Sequence, residues 1–217
     1  MPRSIISPRG PDRDAALRQY RRRAGVYDRE LALFEPIRRL AISRLALRPG
    51  DVVFDVGCGT GLSLSMLRQG IGPKGRIVGI EQSPEMVEQA RRRVARAHWA
   101  RVTLLCSPVE TADIRVNADA ALFHFTHDIL QRPEAIAKVI SHLKPGARVV
   151  ASGLKWAAPW PMRPVNLFVL PAALRSVTSL NGMDQPWRLL QEQLGQMHVE
   201  SRLLGGAYVA SGLYASS

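Results

Sequence analysis

Cysteine, lysine and long apolar runs are all scarce in this chain. Its 217 residues include two cysteines, Cys58 and Cys106, too few for a disulfide framework or a cysteine-based metal quartet, so no metal site is expected. Only Lys74, Lys138, Lys144 and Lys155 are lysines, beside 26 arginines. Together with abundant alanine, that bias fits GC-rich coding and tempers any functional reading of arginine as such. Acids are also few, with 18 Asp and Glu against 30 Lys and Arg, giving a formal net charge of +12. The longest apolar run, Leu167 to Leu174, is broken by Pro171 and falls far short of the ~20 residues a membrane span needs. No apolar stretch follows the N-terminal arginines, so no secretory signal is expected and a cytoplasmic location is.

The basic excess is uneven. Residues 1–48 hold twelve arginines and five acids (Asp12, Asp14, Asp28, Glu30, Glu35), so +7 of the +12 lies in the first fifth of the chain. Such a segment either meets an anionic partner or forms a solvated basic face.

Apolar residues make up 46% of the chain, enough for one globular core. They fall into strands that alternate with helices. Val52–Val56 reads as a buried strand, followed by a glycine loop and a helix from Leu62 to about Gln69. Arg76–Glu81 is the next strand. Ser83-Pro84-Glu85 then opens a helix, with Ser83 as N-cap and Pro84 at the first helical position, running to about Ala97. Strands follow at Val102–Cys106 and Ala120–Phe125, then a helix at Pro133–Leu143, a turn at Lys144-Pro145-Gly146 and a strand at Arg148–Ala151. A Pro- and Trp-rich stretch fills much of 154–195. The chain closes with extended segments His198–Leu204 and Ala207–Tyr214 joined by Gly205-Gly206, a hairpin signal. This pattern predicts an α/β fold: a Rossmann-like, doubly wound, seven-stranded and mostly parallel sheet with a C-terminal antiparallel hairpin strand.

The stretch DVGCGTG, Asp55 to Gly61, puts three glycines at alternate positions behind the first strand. Such a turn lets a ligand lie against bare backbone at the carboxyl edge of the sheet. Glu81, twenty positions past Gly61 at the end of the second strand, can accept both hydroxyl protons of a ribose. The dinucleotide fingerprint G-x-G-x-x-G fails, because Leu62 and Leu64 stand where its third glycine is required.

The pattern Asp55-x-Gly57-x-Gly59-x-Gly61 instead resembles motif I of the class I S-adenosylmethionine-dependent methyltransferases. LRPGDVVFDVGCGTG resembles that family's lead-in and loop, GRIVGIEQSPEMVEQAR its second strand, and LKPGARVV its turn into the fifth strand. The resemblance covers nearly everything from Leu47 to Ser217 and implies binding of S-adenosylmethionine, with S-adenosylhomocysteine as product. It places Asp55, Gly57, Gly59 and Gly61 around the methionine moiety, Glu81 on the ribose and Gln82 beside the adenine, with Cys58, Met86 and Phe123 also in cofactor contact. Many relatives carry Gly-Asp-Ala after the third strand. Here Cys106-Ser107-Pro108 stands instead, so the adenine contact falls to Ser107. QYRRRAGVYDREL resembles a mobile helix that closes over the cofactor in ubiquinone-type C-methyltransferases and short bacterial phospholipid N-methyltransferases. That makes Tyr20 and Tyr27 lid residues, within an N-terminal lid segment 1–45 ahead of the main domain 46–217.

An activated methyl needs in-line approach of a nucleophile more than covalent catalysis, with a base as an option. His127 and Asp128, just past the fourth strand, are the catalytic candidates; the alternative has His127 as pocket wall and Asp128 capping the next helix. His124 is read as packed or solvent-facing, Cys58 as a small residue fitted between glycines, and Arg91, Arg92, Arg93 and Arg96 mostly as a solvated helix face. The expected acceptor is a small molecule presenting nitrogen or oxygen, under an apolar cap of Trp156, Trp160, Phe168 and Trp187. A lipid headgroup at an anionic membrane, met by the basic N-terminal helix, is the alternative. An RNA substrate has less in its favour, since HFTH stands where an Asn-Pro-Pro-Tyr-like tetrad would be and no RNA-binding module is appended. A non-catalytic cofactor-binding protein is a further alternative, and the oligomeric state is left open.

Overall fold

A computed structural model describes residues 34–157, 165–167, 169 and 180–215. In chain order the elements are α1 (Glu35–Arg44), β1 (Val52–Val56), α2 (Leu64–Ile71), β2 (Arg76–Glu81), α3 (Pro84–Arg96), β3 (Val102–Cys106) and β4 (Ala118–His124). They continue with α4 (His127–Leu130), α5 (Pro133–Ile140), β5 (Leu143–Leu154), α6 (Arg188–Leu194), β6 (Met197–Arg202) and β7 (Ala207–Leu213). The seven strands form one sheet in the order β3-β2-β1-β4-β5-β7-β6. β1 pairs in parallel with β2 and β4, β2 with β3, and β4 with β5, whereas β7 runs antiparallel between β5 and β6. The expected architecture is therefore present, hairpin included.

Two apolar layers sandwich the sheet. On one face Phe54, Val56, Val78, Ile80, Phe123 and Val149 meet α5 through Ala135, Ile136 and Val139, and α6 through Leu190 and Leu194. On the other, Val53, Ile77, Leu122, Val150 and Val209 meet α2 through Leu64, Leu67 and Ile71. The same layer contains Ile37, Ala41 and Ile42 of α1 and the adjoining Leu45. Fully burying one such side chain stabilises the fold by about 1.5–3 kcal/mol, so α1 is a structural member of the domain. Of the expected lid segment 1–45, residues 35–45 thus pack on the sheet through Ile37, Ala41, Ile42 and Leu45, and residues 1–33, with Tyr20 and Tyr27, lie outside the described residues.

Several ends differ from expectation. β5 starts at Leu143 rather than Arg148 and continues to Leu154, running through Lys144-Pro145-Gly146, because Leu143 pairs with Ala118 and Gly146 donates its N–H to the Tyr214 carbonyl (2.7 Å). α5 accordingly ends at Ile140. β4 begins at Ala118 and stops at His124, since Phe125 turns into the left-handed region (φ 57°). A short helix, α4, then follows where none was expected. Trp187 is not a cap residue: it is buried and packs on Tyr208 of β7 with ring centroids 4.8 Å apart. Trp160 and Phe168 lie outside the described residues. Trp156 is half-buried against the α1 layer, its N–H held by the Met183 carbonyl (2.8 Å).

Candidate functional site

Parallel strands β1, β2, β3, β4 and β5 all point their carboxyl ends to one edge of the sheet, where the motif residues collect. Loop 57–61 is tied to the end of β2: the Gly57 and Cys58 N–H groups both donate to the Ile80 carbonyl, at 2.8 and 3.1 Å. Glu81 completes the tie. Its Oε2 accepts from the Gly59 N–H (3.1 Å) and its Oε1 from the Ser83 N–H (2.8 Å), so one carboxylate links the first loop to the start of α3. Ser83 caps α3 as expected, its Oγ accepting from the Met86 N–H. Burial pushes the Glu81 carboxyl above its usual range, opposed by those backbone donors.

Two loop glycines serve the chain's own packing. A Cβ at Gly57 (φ 70°) would lie 2.5 Å from Thr126 Cγ2 and 2.9 Å from Ile129 Cδ1, so α4 closes directly over that bare backbone. A Cβ at Gly61 (φ 82°) would meet Leu64 Cδ1 at 2.7 Å and Ala90 Cβ at 3.2 Å, where α2 and α3 converge. Close packing and a left-handed backbone both favour glycine at these two positions. Cys58 is buried with its thiol pushed up by burial, and its Sγ fills the space beside Gly79, as a small residue should. Arg93 departs from a solvated face by donating from Nε to the Thr60 carbonyl (3.2 Å), which pins the loop to α3.

Two expected contacts move into the core. Phe123 is fully buried between β1 and β5, and Met86 is 1% exposed beneath α3, so neither side chain lies open to a ligand. Gln82 is half-buried beside Glu81.

Unsatisfied polar atoms mark the same edge. Among the described residues, Asp55 Oδ2, Ser107 Oγ, His124 Nε2, Thr126 Oγ1 and His127 Nδ1 are buried without a hydrogen-bond partner. They come from the ends of β1, β3 and β4. A buried unpaired polar atom costs about 1–3 kcal/mol, so clustering five of them at one edge is what a polar ligand site requires. Asp55 is strongly perturbed, its carboxyl pushed up to about 7, mainly by burial, with Arg38 opposing the rise and Glu81 adding to it. Arg38 went unnoticed in the sequence. It reaches this edge from α1, is 3% exposed and pairs with Glu35. Only an arginine interrupting the apolar positions Ile37, Ala41 and Ile42 could have signalled it.

His127 is 7% exposed, and its Nε2 lies 2.9 Å from the Asn181 carbonyl. Burial lowers its pKa, against the opposing pull of Asp128 and of that carbonyl. The ring helps line a small cavity with Phe125, Ser152, Gly153, Leu154, Met183 and Tyr208. Asp128, half-buried, follows at the second position of α4, whose N-cap is Thr126. His124 is packed rather than exposed to function directly: its Nδ1 bonds Ser152 Oγ (2.8 Å), its ring meets Phe125 edge-on, and burial lowers its pKa to about 3.

Residues 53–146 match the family described as "Methyltransferase domain". The chain is 35% identical over 119 residues to an uncharacterised 37.1 kDa protein in transposon TN4556 of Streptomyces fradiae, covering 53% of this chain and 33% of that one. It is 27% identical over 147 residues to arsenite methyltransferase of Halobacterium salinarum, covering 64% and 37%. The chain thus spans about a third of the length of these relatives. In fold it is similar to the N-methyltransferase NodS of Bradyrhizobium japonicum in complex with S-adenosyl-L-homocysteine, with TM-score 0.61, 17% identity, and 87% of this chain and 96% of that chain covered.

Proposed function

Because residues 53–146 match a methyltransferase domain, we propose that this chain is a class I S-adenosylmethionine-dependent methyltransferase and transfers a methyl group to nitrogen or oxygen of a small molecule bound beside His127. The observation that carries the reading is the row of buried, partnerless polar atoms at the carboxyl edge, with Glu81 already fixed between the two loops.

These residues fit S-adenosylmethionine. Glu81 keeps lone pairs beyond those taken by Gly59 and Ser83, enough to accept two ribose hydroxyls. Ser107 Oγ, at the end of β3, would take up a polar edge of the adenine. Asp55 Oδ2, at the end of β1, would face the cationic methionine end. The cofactor supplies a methyl already activated on a sulfonium. The chain's task is then to align the acceptor, exclude water and remove a proton. With Nε2 donating to the Asn181 carbonyl, the His127 tautomer assigned by that bond leaves an unprotonated Nδ1. Burial keeps the ring neutral, so Nδ1 can accept the proton an N–H or O–H acceptor loses.

The test is calorimetry with S-adenosylmethionine and S-adenosylhomocysteine, followed by a labelled-methyl screen over amines, phenols, acids and lipids. Glu81→Ala should weaken cofactor binding by tenfold to a hundredfold, as expected for losing hydrogen bonds to a charged group worth about 1.5–3 kcal/mol. Ser107→Ala should weaken binding about fivefold while leaving the stability of the free protein unchanged or raised, because the hydroxyl it removes has no partner there. Failure of the wild-type chain to bind either nucleoside would overturn the reading.

A further inference from the structure

Lys155 is a buried cation that the mechanism above does not use. It follows the last residue of β5 and is 7% exposed. Its Nζ donates to the Trp156 carbonyl at 3.5 Å, the outer limit of a hydrogen bond, and no acid among the described residues pairs with it. Burial lowers its pKa.

Two other buried charges are compensated. Glu81 accepts two backbone N–H groups, and Arg38 pairs with Glu35. Leaving a buried ammonium unmatched is unfavourable, and a folded chain tolerates that chiefly where a ligand removes the penalty.

The backbone around Lys155 is fixed. Its own N–H donates to the Gly206 carbonyl (3.0 Å), and the Trp156 N–H to the Met183 carbonyl (2.8 Å). Met183 and the preceding Leu154 both line the cavity that contains His127. The lysine therefore stands at the carboxyl end of β5, one residue past Leu154 of the cavity's lining and two strands away from the β1 loop. An ammonium has three donors, and here at most one is used. The chain's +12 charge also draws anions toward it.

We propose that Lys155 binds an anionic group, a carboxylate or a phosphate, carried by the methyl acceptor. This rests on the methyltransferase reading and narrows its substrate class to acids and phosphate esters.

Propionate, inorganic phosphate and, as a neutral control, propionamide are titrated into the full chain saturated with S-adenosylhomocysteine, following the Met183 methyl and His127 ring resonances. Propionate or phosphate should shift both signals, and whichever does so identifies the anion class. Propionamide should not shift them. Lys155→Gln should weaken the anion's binding at least tenfold with S-adenosylhomocysteine affinity unchanged, and Lys155→Arg should retain most of it. Equal anion affinity in the glutamine variant, or no response in the wild type, overturns the proposal. A tenfold loss of S-adenosylhomocysteine affinity in that variant also overturns it, since the lysine would then serve the cofactor. Should the glutamine variant not fold, the wild type decides: the anion must protect Lys155 from acetylation, as mapped by mass spectrometry, and absence of protection counts against the proposal. Failure to bind S-adenosylhomocysteine at all would refute the methyltransferase reading instead, and the anion titration is then run on the free chain.

Discussion

His127 shows how much one ring can be constrained before any substrate arrives. Nε2 is committed to the Asn181 carbonyl, Nδ1 is sealed without a partner, and burial holds the imidazole neutral. If Nδ1 takes the acceptor's proton, His127→Ala should cut turnover about 10²-fold or more while S-adenosylhomocysteine affinity stays within twofold. His127→Asn separates the roles in steady-state assays: recovery of activity with asparagine would make the ring a positioning group. The type and place of this histidine were legible in the sequence, past the end of a strand at the ligand edge. Its tether was not, because Asn181 lies 54 positions away in a stretch without periodic signal. Arg38 and Lys155 escaped for a related reason. An isolated basic residue in an arginine-rich chain reads as surface, and only tertiary burial sets these two apart.

At the scale of elements, legibility followed how local the cause was. β1, β2, β3 and α3 are fixed by neighbouring residues, an apolar run ending in glycines and a Ser-Pro cap, and they came out within a residue or two. β5 was undercalled because Pro145 and Gly146 look like a break, whereas pairing with Ala118 and Tyr214 carries the extended backbone through. α6 presents only Leu190 and Leu194 to the core, a signal too short to rise above its Trp- and Pro-rich surroundings. α1 falls within the expected lid segment 1–45, an expectation carried by the resemblance of residues 19–31, whereas Ile37, Ala41 and Ile42 pack it against the sheet. Its membership in the core has a measurable consequence. Leu45→Ala should lower the free energy of unfolding by about 2–5 kcal/mol in urea titration, as for other fully buried leucines, and a marginal loss would return α1 to the periphery.

For the molecule as a whole, burying acids at the ligand edge sets how stability depends on pH. Asp55 has its pKa at about 7 in the folded chain against an ordinary value of 3.8, and Glu81 is shifted in the same direction. A raised acid pKa means the folded state holds a proton that the unfolded state has released, so this contribution is complete below about pH 4 and fades as pH rises to about 7. Asp113 and Glu200, lowered by Arg115 and Arg44, act oppositely at the surface. The difference between wild type and Asp55→Asn isolates the buried term: the melting-temperature gain of the variant should grow from pH 4 to pH 7 and then level off. A constant offset would show that Asp55 does not titrate there. The tie made by Glu81 bears on the working cycle too. Because that carboxylate joins both loops through the chain's own N–H groups, the cradle is set by the fold itself, and under the proposed function fresh and spent nucleoside would meet nearly the same contacts. If the chain transfers methyl as proposed, one methyl and one positive charge would be all that separates incoming from outgoing nucleoside, and accumulated by-product would slow the cycle.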